Sequence, residues 1–110
     1  MEHNQMINHI YIAVKQELVE RLGQQGYVII EERENDRVYD SKFIVWSNDK
    51  DLIRFTWDGK ENVFLIEVSN DLPISPLTTW SGLCVESFEP TSDPCVYVYN
   101  TAAKIVKTLE

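Results

Sequence analysis

Residues 52–68 read LIRFTWDGKENVFLIEV, and this stretch decides the fold. Two runs rich in β-branched and aromatic residues, Leu52–Trp57 and Val63–Val68, flank the turn signal Asp58-Gly59. So short a connection permits only antiparallel neighbours, because a parallel return needs a crossover of about a dozen residues. A four-residue loop that pairs Phe55 with Phe64 and Ile53 with Ile66 brings large apolar side chains opposite one another. It places Ile53, Phe55 and Trp57 on one face with Phe64, Ile66 and Val68. Leu52, Val63 and Leu65 then fall on the opposite face with Arg54, Thr56 and Glu67. A sheet with one wet face alternates more cleanly than this. The second face is therefore expected to be partly covered, by the C-terminal third of the chain or by another chain.

Upstream, Tyr27–Glu32 and Lys42–Trp46 have the same strand-like composition, with turn residues at Asn35-Asp36 and Ser47–Lys50. The expectation is a four-stranded antiparallel meander. Before it, Ile7, Ile10, Tyr11, Val14, Leu18 and Leu22 recur at steps of three and four, which predicts a helix over residues 4–22. Asn4 or Asn8 can cap its start, Glu17 and Arg21 stand at i,i+4, and Gly23 with Gly26 can end it.

In the C-terminal third, Ser75-Pro76 and Asp93-Pro94 each read as an N-cap followed by proline at the first helical position. From Pro94, Cys95, Val98, Ala102, Ile105 and Leu109 predict a final helix. Residues 76–88 remain open between a helix on Leu77, Trp80, Cys84 and Phe88 and a short turn followed by a strand from Leu83 to Phe88. The predicted fold class is α+β in one domain spanning residues 1–110: N-terminal helix, four-stranded meander, irregular or short-element segment, C-terminal helix.

With 110 residues, 44% of them hydrophobic, the chain can bury about two thirds of its surface and needs neither disulfide nor metal to fold. Residues 1–5 lack a basic leader, and the longest aliphatic and aromatic run is the five residues Ile10–Val14, so neither a signal peptide nor a membrane span is read. A cytoplasmic protein with Cys84 and Cys95 as free thiols follows as the expectation. The formal charge of -8 disfavours nucleic acid and anionic membranes, whose phosphates require Lys or Arg, and suits a basic protein partner. Between Lys60 and Lys104 no basic residue occurs, while Glu61, Glu67, Asp71, Glu86, Glu89 and Asp93 carry negative charge.

Catalytic constellations find little support. His3 and His9 are six apart, on opposite sides of a helix, and do not share a metal. Cys84 and Cys95 lack the second ligand pair that structural zinc needs and read as small buried hydrophobes. Asp58 and Glu67 read as lying at opposite ends of a hairpin, and Asp49 and Asp51 read as a turn. The four glycines form no phosphate-binding loop, and no cofactor or metal is expected.

The remaining candidates make an interface. Trp46 is expected to face away from the first helix and to join Leu52, Val63 and Leu65 on the second face, through which the chain associates with a partner or with a second copy, and Glu67, Glu86, Glu89 and Asp93 steer a basic partner. The size, acidity and layout resemble those of small bacterial binding proteins such as secretion chaperones and toxin-neutralising immunity proteins, an analogy of fold and charge without a shared motif. The expected function is a non-catalytic protein-binding module, chaperone-like or immunity-like. The alternative is an enzyme or small-molecule carrier with a pocket between the sheet and the C-terminal segment, lined by Trp80, Phe88, Tyr97 and Tyr99.

Overall fold

The computed structural model describes residues 3–34 and 40–109. Helix α1 (His3–Gln24) is followed by strands β1 (Val28–Arg33), β2 (Lys42–Ser47), β3 (Leu52–Asp58), β4 (Val63–Ser69) and β5 (Ser81–Ser87), then helix α2 (Pro94–Lys107). The fold is α+β as expected, but the antiparallel meander has five strands in the order β1-β2-β3-β4-β5 rather than four. The additional strand settles residues 76–88. Ser75-Pro76 opens a tight turn, in which Ser75 O accepts from Thr78 N and Ser75 Oγ accepts from Leu77 N. Residues 81–87 then pair with β4, Val85 opposite Leu65 and Cys84 opposite Ile66. A helix through Gly82 and Val85 would have cost propensity at both positions, whereas the free edge of β4 offers a full ladder of hydrogen bonds.

The central hairpin has its expected faces but not its expected register. Phe55 stands opposite Ile66 and Trp57 opposite Phe64, two residues from the predicted pairing. The reason is local. Asp58 Oδ1 accepts from the amides of Lys60 and Glu61, Asn62 donates to Asp58 O with φ 62, and Gly59 donates to Ser41 Oγ. These bonds start the four-residue loop one position later, and a register change of two leaves every side chain on its own face. The β2–β3 turn is closed likewise, with Asn48 Oδ1 accepting from Lys50 and Asp51 and with Asp49 at φ 71. The turn expected at Asn35-Asp36 lies outside the described residues.

Both helices cover one face of the sheet. Met6, Ile7, Ile10, Tyr11, Val14, Leu18 and Leu22 of α1 pack with Ile44, Trp46, Ile53, Phe55, Trp57, Phe64 and Ile66, and Ala102, Ile105 and Val106 of α2 complete the core. Tyr11 stacks on Phe55 with centroids 5.0 Å apart, and Trp57 lies 4.6 Å from Phe64 and 6.0 Å from Phe88. Trp46 belongs to this face, which corrects its predicted orientation: it stands opposite Ile53 in the ladder and is 1% exposed. The end of α1 is set by Gly26 at φ 87, a left-handed conformation that glycine adopts without strain, while Tyr27 donates back to Leu22 O. Helix α2 begins as predicted, with Asp93 at the N-cap and Pro94 in the first turn. Its buried stripe is Thr101, Ala102, Ile105 and Val106, and Cys95 is exposed rather than buried.

Candidate functional site

The second face of the sheet is a set of transverse rows. One row runs Ser47, Leu52, Ser69; the next Glu31, Val45, Arg54, Glu67; a third Arg33, Phe43, Thr56, Leu65, Val85; and a fourth Asp58, Val63, Ser87. The connection between β4 and β5, residues 70–80, folds back over the first two. Its last residue, Trp80, lies over the Arg54 guanidinium at 4.2 Å, and Arg54 Nε and Nη2 both donate to Glu67 Oε1, at 3.1 and 2.8 Å. Ile74, Ser75, Pro76 and Trp80 form the outer wall of a cleft with Phe43, Val45 and Arg54 beneath. Thr79 N donates to Asp71 Oδ2, which ties the two ends of the connection together. Val45 and Leu52 are fully buried under this cover.

The remaining two rows stay open. Phe43, Thr56, Val63 and Leu65 are half-buried, and Val85 is 64% exposed. Leu83, the extra residue of the irregularity between β4 and β5, is exposed beside them. Thr56 Oγ1 is shielded from solvent and has no hydrogen-bond partner among the described residues. The result is an apolar strip across β2, β3, β4 and β5 with one unpaired hydroxyl at its centre.

The predicted interface residues are thus divided. Val63 and Leu65 lie in the open strip. Leu52 is on the expected face but sealed by the 70–80 connection, and Trp46 is in the core; neither is available to a partner of this fold. The four acids do not gather around the strip. Glu67 is held by Arg54 at the covered half, while Glu86 stands opposite Phe64 on the helix side and pairs with Lys104 at 3.2 Å. Glu89 is exposed near α2, its amide donating to Tyr97 Oη at 2.7 Å, and Asp93 begins that helix. Phe43, Thr56 and Val85 were missed. The out-of-phase spacing of Phe43 and Val45 within Lys42–Trp46 signalled the first, whereas Val85 required the fifth strand to be known.

The alternative pocket is not built. Trp80 packs on the second face, Phe88 and Tyr97 meet at 5.8 Å on the helix side, and Tyr99 is exposed. Asp58 stands opposite Val63, so Glu67 lies four residues further along β4, about 13 Å at 3.3 Å per residue and too far for a shared proton or ion. His3 and His9 are exposed. Burial, reinforced by Glu86, pushes the half-buried Cys84 thiol up and away from the reactive thiolate form. Burial also raises the Tyr11 phenol strongly, with Glu32 and Glu34 adding to the effect. Among the described residues no group of three or more His, Cys, Asp or Glu side chains could hold a metal ion, and no helix is long and apolar enough to cross a membrane. No known family, curated protein or solved structure matches the chain.

Proposed function

We propose that this chain is a non-catalytic protein-binding module that docks a basic partner on the open half of the second sheet face. The observation that carries this reading is the row Thr56, Leu65, Val85, half-buried to exposed and continued by Phe43 at the rim of the cleft, on a face whose other half the chain seals with its own connection. An open apolar strip of a few hundred Å² is near the upper limit for a monomer and is suited to contact.

Magnitude shows why charge matters. Burying about 300 Å² of apolar surface yields about 7 kcal/mol at 25 cal/mol per Å². Association itself costs about 4–15 kcal/mol, so the strip alone is barely sufficient. The net charge of -8 adds long-range attraction for a basic surface, which speeds encounter and fades as salt rises. The alternative of an enzyme or small-molecule carrier finds no comparable positive observation.

The test is capture of partners from the native host by the purified chain, followed by reconstitution with the isolated partner. Binding should fall steeply with salt and be lost in Val85→Asp and Leu65→Asp variants whose circular dichroism melts match the parent. Undiminished reconstituted binding by both variants would reject the open strip as the docking surface.

A further inference from the structure

A second surface lies at the far edge of the sheet. Among the described residues no strand pairs with the outer side of β1, so its backbone donors and acceptors on that side have no ladder partner. Val28, Ile29 and Ile30 are all exposed there, Val28 by 63%, and the register irregularity between Ile29 and Glu31 makes Ile30 an extra residue. Edge strands are ordinarily defended by charge, proline or a bulge; in β1 the charges are confined to Glu31, Glu32 and Arg33, and Val28–Ile30 carries none.

Val28, opposite Ser47, flanks the edge on the second face, while Ile29, opposite Trp46, flanks it on the helix side, where α1 continues the apolar surface. Lys15 bonds Glu32 of β1, which fixes one flank of the helix over this edge. Ile12 and Val19 stand three before and four after Lys15, hence on that flank, and both are exposed, Ile12 by 51%. Five aliphatic side chains from two elements therefore line one open backbone edge.

We infer that a second copy of this chain occupies it, with β1 pairing antiparallel to β1 about a two-fold axis. The two sheets then join into one of ten strands. Because a two-fold normal to the sheet keeps both core faces on the same side, the Ile12 and Val19 flanks of the two α1 helices approach each other above the junction. An extended peptide would satisfy only the strand and leave Ile12 and Val19 in water. Stable interfaces begin at roughly 1,200 Å², and a second copy contributes toward it from both sides, a few hundred Å² from each patch and the paired backbone besides, which a peptide does not. The edge charges are already compensated within each chain, Glu31 by Arg33 at 2.9 Å and Glu32 by Lys15. What opposes association is the general repulsion of two chains of charge -8, which salt screens over about 8 Å at physiological strength. Dimerisation is thus strengthened by salt, the opposite of the dependence expected for the basic partner.

Sedimentation velocity from about 1 to 200 µM, bracketing the micromolar dissociation constant of a small interface, tests this at low and high salt. The expected result is a dimer whose fraction rises with salt. Val19→Glu, on an exposed helix position, and Ile30→Lys should each weaken it at least about tenfold, the effect of about 1.4 kcal/mol. Val85→Asp should leave it unchanged. A monomer throughout the range, a dimer indifferent to both edge variants, or a dimer lost only in Val85→Asp would overturn the assignment. Because Val19 is solvent-exposed, its variant separates loss of association from loss of fold, checked by the thermal midpoint.

Discussion

The two faces of the sheet are closed by different means. On one, apolar residues alternate through β3 and β4 and through β2 after Lys42, and two helices with matching stripes seal them. On the other, aliphatic and charged residues share the same strands, and an irregular connection held by Trp80, Arg54 and Glu67 covers only half. Regular elements seal a whole face because one helix spans several strands. An eleven-residue connection can cover only the rows it crosses, and what it leaves open is available to a partner.

The sharpest way to break this contrast is to compare truncations on the two faces. Phe55→Ala, at the centre of the aromatic stack, should cost about 3–5 kcal/mol in denaturant unfolding, and Leu18→Ala about 2–5. A cost below about 1 kcal/mol at either position would mean that the helical face is not the dominant core. On the second face Trp80→Ala should cost about 1 kcal/mol, the worth of a partly shielded cation–π contact. Its clearer signature should be faster amide exchange at Val45 as the cover loosens. Exchange at Val45 unchanged from the parent would show that the Trp80 contact does not hold the connection down.

Tyr11 sharpens the comparison from the core side. Its hydroxyl is buried and has no hydrogen-bond partner among the described residues, so Tyr11→Phe should leave stability unchanged or raise it by about 1 kcal/mol. Burial raises its folded-state pKa above the unfolded value of 10.0, so the folded state retains this proton longer. Stability is therefore unaffected below pH 10.0 and falls as pH rises beyond it, where only the unfolded chain ionises. Melts across that alkaline range should show a shallower fall for Tyr11→Phe than for the parent; parallel curves would remove Tyr11 from the account. The smallest expected effect is that of Val85→Asp, within about 0.5 kcal/mol, since the side chain is mostly in water. A larger loss would mean that the strip is closed in solution.

Much of this was legible in the chain. Residues 4–22 have the period of a helix and Ile53 to Val68 the period of strands, and local periodicity survives whatever the remainder of the chain does. The start of α2 at Asp93-Pro94 was equally local. Register was less so: faces followed from alternation, but hydrogen bonds around Asp58 and Asn62 chose between pairings that alternation treats as equivalent. Trp46 was misplaced because its strand, Lys42–Trp46, is apolar on both faces, and only pairing with Ile53 decides which face it takes.

By itself the sequence determined the α1 helix, the antiparallel hairpin at its centre, and an acidic chain with surplus apolar residues out of phase with the core. Tertiary structure decided that residues 81–87 are a strand, because the spacing of their apolar residues fits helix and strand alike and the free edge of β4 adds to the poor helix propensity of Gly82 and Val85. It also decided which surplus residues are hidden. Leu52 and Leu65 occupy equivalent phases in neighbouring strands, yet the connection crosses the row of one and not of the other. No local pattern encodes where an eleven-residue segment comes to rest; that depends on the ring of Trp80 finding Arg54, a contact 26 residues distant in the chain.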